Sequence, residues 1–200
     1  MFAKRGEMFT NRESAIPRMI KKSAFAYGHG SDTGGHIPTL YALAKYFAPI
    51  GILIELGVNK GYSTLGLLTG VHETCGKLVS YDTRDCRQNV MQTIDKDMSL
   101  LKHWQFIQLD SISASKNWQN NSVALVYIDT VHSYEQTKKE LEQWTPKLKK
   151  EGAICGHDYN LSWYNYGVRR AVDEWAKEQK ERFELQIIPH DRGLFILWPI

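Results

Sequence analysis

Cysteine is scarce in this chain. The three present, Cys75, Cys86 and Cys155, are odd in number and show no CxxC spacing. That argues against a disulfide framework or a cysteine-built zinc site and leaves a reduced, cytoplasmic protein as the expectation. Long apolar runs are also missing. No stretch approaches the ~20 residues needed to span a bilayer, and the first residues lack the apolar core of a signal peptide. Charge of one sign is in short supply, with 25 Lys and Arg against 22 Asp and Glu. The basic residues near the start and in KLKK form no stripe interleaved with aromatics, as a nucleic-acid face would. Neither a membrane nor a nucleic acid is therefore expected as a partner. Repeats, low-complexity tracts and linkers are absent too. What remains is 200 residues with 42% apolar content, enough for one domain with a substantial core.

From residue 51 onward, short β-rich runs alternate with helical patterns. ILIEL is followed by the helical TLGLLTGV, and then come KLVSYD, WQFIQLD, VALVYID and GAICGHD. Each of these last four ends in aspartate. Helical patterns lie between them at 84–101, around 113–118 and at 134–150. Strands buried on both faces and separated by helices predict a parallel α/β sheet. Right-handed crossovers then bring the strand C-termini to one rim, where such folds bind ligands. LQIIP and GLFILW are joined by so short a polar link that the last strand should be antiparallel. HIPTLYALAKYFAP reads as an amphipathic covering helix. Residues 1–36, Gly-rich at GHGSDTGGH, read as an arm or a lid, equally suited to an interface between copies of the chain, ahead of a single domain at 37–200.

ELGVNKGYST follows the first strand and opens a helix. Gly57 and Gly61 permit a tight turn and close approach of a ligand, and the free N–H groups at the helix start favour an anionic group. Asp82 ends the second strand, where a carboxylate can accept both hydroxyl hydrogens of a ribose or simply cap the next helix. Asp110 and Ser111, after the third strand, sit where an adenine would lie, or are N-caps. The features together indicate a nucleoside ligand with a charged tail.

ELGVNKGYS resembles the cofactor loop of class I S-adenosylmethionine-dependent methyltransferases, the small catechol-type O-methyltransferases above all. YIDTVHSYEQTKKELEQWTPKLKKEGAICGHDY, followed by GVRRAVDEW, resembles the branch holding macrocin-type sugar O-methyltransferases and cephalosporin-hydroxylase-like proteins. The resemblance runs from SDTGGHIPTL to the C-terminus. It implies a Rossmann-like, doubly wound, mostly parallel seven-stranded sheet with an antiparallel C-terminal strand. It implies that Glu55, Gly57, Asn59, Gly61, Tyr62 and Ser63 surround the methionine end of S-adenosylmethionine, with Asp82 on the ribose and Asp110 and Ser111 near the adenine. Asn59 stands where the commonest loop has its middle glycine. The resemblance implies that Asp129 borders the cofactor as well, and that the acceptor is a small-molecule hydroxyl.

Asp129 ends the fourth strand and the pair His157–Asp158 follows the fifth. Neighbouring strand tips about 4.8 Å apart can share an ion. In the resembling enzymes a divalent ion sits at these positions, so Asp129, His157 and Asp158 are the implied ligands. Oxygen ligands suit Mg²⁺. The histidine shifts preference toward Mn²⁺, Fe²⁺ or Zn²⁺, or else stands outside the ligand set. His132 is the candidate general base, because neutral imidazole with an ordinary pKa of ~6.5 suits removal of a hydroxyl proton near neutral pH. YNLSWYNYG crowds aromatics beside this end, and Trp163 and Tyr164 are the expected substrate contacts. Trp144 and Trp175 lie in helical patterns and should be core. Two rival readings stand beside this one. Tyr134 and Lys138 form the YxxxK pair of a nicotinamide oxidoreductase, and a non-catalytic cofactor-binding protein could keep the same fold.

Overall fold

The computed structural model describes residues 34–161 and 167–200. Most of the expected arm (1–36) and both expected substrate contacts, Trp163 and Tyr164, lie outside the described residues. The described chain starts with a 3-10 turn, Gly34–His36.

Seven strands form one sheet: β1 (Ile52–Leu56), β2 (Leu78–Asp82), β3 (Trp104–Gln108), β4 (Val123–Ile128), β5 (Leu148–Gly156), β6 (Phe183–Ile188) and β7 (Leu194–Pro199). Their order is β3-β2-β1-β4-β5-β7-β6. The first five are parallel, and β7 runs antiparallel between β5 and β6. Among the described residues seven helices pack around them: α1 (Ile37–Phe47), α2 (Tyr62–Glu73), α3 (Arg87–Thr93), α4 (Met98–Leu101), α5 (Ser111–Ser115), α6 (Tyr134–Trp144) and α7 (Val168–Glu178). The chain builds outward from β1 to β3, then returns to place β4 on the other flank of β1. The crevice between β1 and β4 is thus the point where the winding reverses.

Period-two alternation assigns the faces. Leu53, Leu125 and Tyr127 pack with Leu40, Leu43 and Phe47 of α1 and Leu65 and Leu68 of α2. Ile54, Leu56, Val126 and Ile128 turn to the opposite layer, with Leu141 and Trp144 of α6 and Val172 of α7. Trp144 is fully buried and its indole N–H donates to the Ser111 carbonyl at 3.0 Å. Trp175 packs against the same layer. Trp144 is core, as expected, while Trp175 is only partly buried at its margin.

Two helical expectations needed correction. The pattern over 84–101 is two helices, because Asp95 and Lys96 turn the chain with φ of 53° and 58°. The pattern over 134–150 stops at Trp144: Pro146 falls in a 3-10 turn and β5 begins at Leu148, since proline cannot donate to a continuing helix.

Candidate functional site

The glycine loop between β1 and α2 is held by main-chain geometry. Gly57 has φ of 89°, and a Cβ there would lie 1.9 Å from the Asp129 carbonyl oxygen. The loop thus presses on the tip of β4 where only glycine fits. Gly61 caps α2 with φ of 83°, and its N–H donates to the Val58 carbonyl at 2.8 Å. Asn59, where a glycine was the commoner choice, also takes a left-handed φ of 47°, which asparagine tolerates better than most side chains. Its carbonyl accepts from the Asn89 amide at 2.8 Å, and that of Lys60 accepts from the Thr93 hydroxyl at 2.7 Å. These bonds tie the loop to α3.

Asp82 braces the same loop. One carboxylate oxygen accepts the N–H groups of Val58 (3.0 Å) and Asn59 (3.1 Å), and the other accepts that of Arg84 at 2.9 Å. Burial opposes its charge, yet these donors hold the carboxyl below its ordinary range.

Glu55 is placed differently from its neighbours in the motif. It is fully buried and does not line the cavity described below. Its carboxyl accepts from the hydroxyls of Ser63 (2.7 Å), Thr64 (2.9 and 3.0 Å) and Ser80 (2.5 Å). Burial pushes it up to about 7 against the pull of those hydroxyls. It clamps the start of α2 to β2.

A cavity of about 570 Å³ opens at the reversal point. Gly57, Asn59, Tyr62 and Ser63 form one wall, Asp82, Asp110 and Ser111 the second, and Asp129 and His132 the third. Glu55, Gly61, His157 and Asp158 are not on its surface. Asp110 is the N-cap of α5, accepting from Ile112 (3.1 Å) and Ser113 (2.9 Å). Ser111 donates to Glu140 at 2.5 Å and accepts from Gln136 at 3.0 Å. Gln136, Thr130 and Glu140 form a polar network that sequence reasoning missed, with Thr130 donating to Glu140 at 2.8 Å. The available signal was Ser133 followed three residues later by Gln136, a capping-box spacing at the start of α6. Ser133 does accept the Gln136 N–H, at 3.2 Å.

At the third wall, His132 Nε2 lies 2.8 Å from Asp158 Oδ2 and 3.4 Å from Asp129 Oδ1. Burial works against a charged ring, but hydrogen bonds to Asp129 and Asp158 raise it to about 10. Asp158 is nearly fully buried. Burial opposes its charge as well, and His132 and His157 hold the carboxyl well below the usual carboxylate range. Tyr127, also buried, donates to Asp129 at 3.1 Å. The three residues that offer metal-binding atoms here are Asp129, His132 and Asp158, all within 4.8 Å of one another. His157 is not in that group; its ring packs edge-on against His36 with centroids 5.1 Å apart.

Comparison with known protein families matches residues 54–159 to the methyltransferase domain. The chain belongs to that family. The matched span runs from β1 to the residues after β5, so it contains every strand tip bordering the cavity. An 80-residue stretch is 30% identical to y4gI of Sinorhizobium fredii, described as uncharacterized. It spans 40% of this chain and only 8% of the length of that relative. Among solved structures, a Corynebacterium glutamicum protein superposes with a TM-score of 0.74 at 16% identity, covering 96% of this chain and 93% of that one. The SAH-bound methyltransferase PaMTH1 of Podospora anserina gives 0.59 at 15%, covering 92% and 89%. A methyltransferase of Geobacter sulfurreducens gives 0.64 at 12%, covering 94% and 92%. At such identities these likenesses establish the methyltransferase fold. Among the described residues no helix is long and apolar enough to cross a membrane.

Proposed function

We propose that the chain transfers the methyl group of S-adenosylmethionine to a hydroxyl oxygen of a small molecule, a sugar or a phenol. The observation that carries this reading is the cavity of about 570 Å³ with the glycine loop and Asp82 on one flank and Asp129 and His132 on the other. That volume suits a nucleoside with an amino-acid tail and a small acceptor. The loop from Gly57 to Ser63 and the start of α2 would face the methionine end, where N–H groups favour its carboxylate. Asp82 would take the ribose hydroxyls with the acceptor capacity its three backbone bonds leave. Asp110 and Ser111 would border the adenine through the end of α5. A protein related in fold carries SAH, the demethylated cofactor.

His132 stands at the acceptor side. While both carboxylates face it, the ring keeps its proton up to about pH 10 and donates to whatever oxygen approaches. It accepts a proton only when one of those carboxylates is neutralised, so general-base action requires a cation there. The Asp129 and Asp158 carboxylates would hold a divalent ion beside the ring, leaving the imidazole nitrogen to take the proton: Asp158 Oδ1 is buried with no hydrogen-bond partner among the described residues, and oxygen ligands suit Mg²⁺ or Mn²⁺. Such an ion would lower the pKa of a nearby acceptor hydroxyl.

The oxidoreductase reading loses its main support. The Tyr134 hydroxyl donates to Glu174 of α7 at 2.5 Å and accepts from Lys138 at 3.2 Å, and neither Tyr134 nor Lys138 lines the cavity. Calorimetry with S-adenosylmethionine and with NAD tests the choice: the former should bind and the latter should not, and tight binding of NAD alone overturns it. Labelled cofactor offered with sugars and phenols should yield labelled product, and EDTA should abolish it. Cofactor binding with no transfer to any acceptor favours the non-catalytic reading. His132→Ala should keep cofactor affinity and lose turnover by ~100-fold or more; unchanged turnover removes His132 from the mechanism.

A further inference from the structure

His36, at the end of the first described turn, is 0% exposed. Neither of its ring nitrogens has a hydrogen-bond partner of ordinary geometry among the described residues. Buried imidazoles almost always satisfy at least one nitrogen, so two orphans on one ring call for an explanation. The ring stacks on His190, with centroids 4.7 Å apart and planes at 26°. His190 and Asp191 form the tip of the β6–β7 hairpin, with His190 Nδ1 3.8 Å from Asp191 Oδ2. One ligand atom from each of His36, His190 and Asp191 lies within 4.8 Å of the others. Asp191 also crowds the chain just before His36: a Cβ on Gly35 would meet its carboxylate oxygen at 2.1 Å.

We infer that His36, His190 and Asp191 form a transition-metal site, Zn²⁺ being its natural occupant, that clips the start of α1 to the β6–β7 hairpin. Two imidazoles and one carboxylate are a borderline-soft donor set that favours Zn²⁺ over Mg²⁺ or Ca²⁺. The burial that keeps the His36 ring neutral leaves a lone pair free for a metal. The His190 and Asp191 side chains are 55% and 36% exposed, so the ion has a path in from solvent and water can fill a fourth position. The ligands come from opposite ends of the described chain, which makes the role architectural. It also reaches the candidate active site. Arg192 at the same hairpin tip lies 3.7 Å from Asp158 Oδ1, and its carbonyl accepts the Asn160 N–H at 2.8 Å. A clipped hairpin therefore holds Arg192 against the carboxylate that faces His132. This inference does not depend on the methyl-transfer reading.

The test must separate this site from the Asp129, His132 and Asp158 group. Full-length Asp129→Asn/Asp158→Asn protein, stripped with EDTA, is titrated with Zn²⁺ alone by calorimetry and with Co²⁺ alone by visible absorption. One equivalent should bind, with the spectrum of a low-coordinate Co²⁺ site, and Zn²⁺ should raise the melting temperature. His190→Gln and Asp191→Asn, both on the exposed hairpin and so compatible with folding, should each weaken Zn²⁺ binding at least tenfold in that background. They should also abolish the thermal shift. Gly35→Ala keeps every ligand but pushes the Asp191 carboxylate aside, and should weaken binding likewise. No Zn²⁺ binding in the parent double variant overturns the inference, as does a loss of less than tenfold in both hairpin variants.

Discussion

Glu55 shows how a single buried side chain sets a pH response. Its carboxyl is pushed up to about 7, mainly by burial and against the hydroxyls of Ser80, Ser63 and Thr64. A carboxyl that holds its proton more tightly folded than unfolded contributes stability that is complete below its unfolded pKa and lost as pH rises through the folded one. The melting temperature should therefore fall as pH rises from 4.5 to above 7, with an inflection near 7, a loss of roughly 3 kcal/mol. Glu55→Gln should flatten that slope, as thermal melts across the range would reveal. His132 is raised for the opposite reason, two carboxylates favouring its charge, so its contribution is complete below ~6.5 and disappears as pH passes about 10. Removing one partner with Asp158→Asn should drop the His132 pKa by at least one unit, read directly by NMR titration of the ring. At this scale the sequence was only partly legible. The resemblance paired His157 with Asp158 as ligands; His157 Nδ1 does lie 3.4 Å from Asp158 Oδ1, but Asp158 sits past the end of β5 with a left-handed φ of 62°, a turn the sequence does not announce. Asp158 meets His132, while His157 goes to His36. Asp110 was readable as a cap or a contact; it makes the cap bonds and also lines the cavity.

The β1–α2 loop is the element on which the proposed cofactor site rests, and Asp82 is its brace. Asp82→Ala would leave the Val58 and Asn59 N–H groups without their acceptor. Their amide exchange should accelerate, and S-adenosylmethionine affinity should fall at least tenfold by calorimetry. Unchanged exchange would mean that the loop holds its shape without the carboxylate. Gly57→Ala should be worse for the fold, because strain at φ of 89° adds to a collision with the Asp129 carbonyl. A loss of about 1–3 kcal/mol from the backbone conformation alone is expected, measurable by denaturant unfolding. The loop was legible because its glycine spacing sits between a strand pattern and a helix pattern. The break within 84–101 was not, because left-handed turns at Asp95 and Lys96 have no glycine or proline to announce them. Asn59 needed the backbone too, since its left-handed conformation explains why an amide can stand in for glycine.

Across the whole molecule, the parallel sheet followed from five strand patterns buried on both faces, and the antiparallel end followed from the short link between the last two. The insertion of β7 between β5 and β6 was not readable, because a hairpin fixes which strands pair but not which of them meets the older sheet. A ligand seated at the β1–β4 crevice engages residues after β1, β2, β3 and β4 together, so binding should stabilise the fold as one unit. At a concentration 100 times its Kd, S-adenosylmethionine should add about 2.7 kcal/mol and raise the melting temperature by roughly 5–10 °C in a single cooperative transition. Two separate transitions, with only one responding, would contradict that coupling.

The missing side chain at Gly57 has one further effect. Because the backbones after β1 and β4 rest directly on each other, the spacing of the two strand tips that border the cavity is fixed by main chain. Wall residues such as Thr130, Val131 and Arg84 can then change over generations and reshape the cavity while that spacing stays where it is.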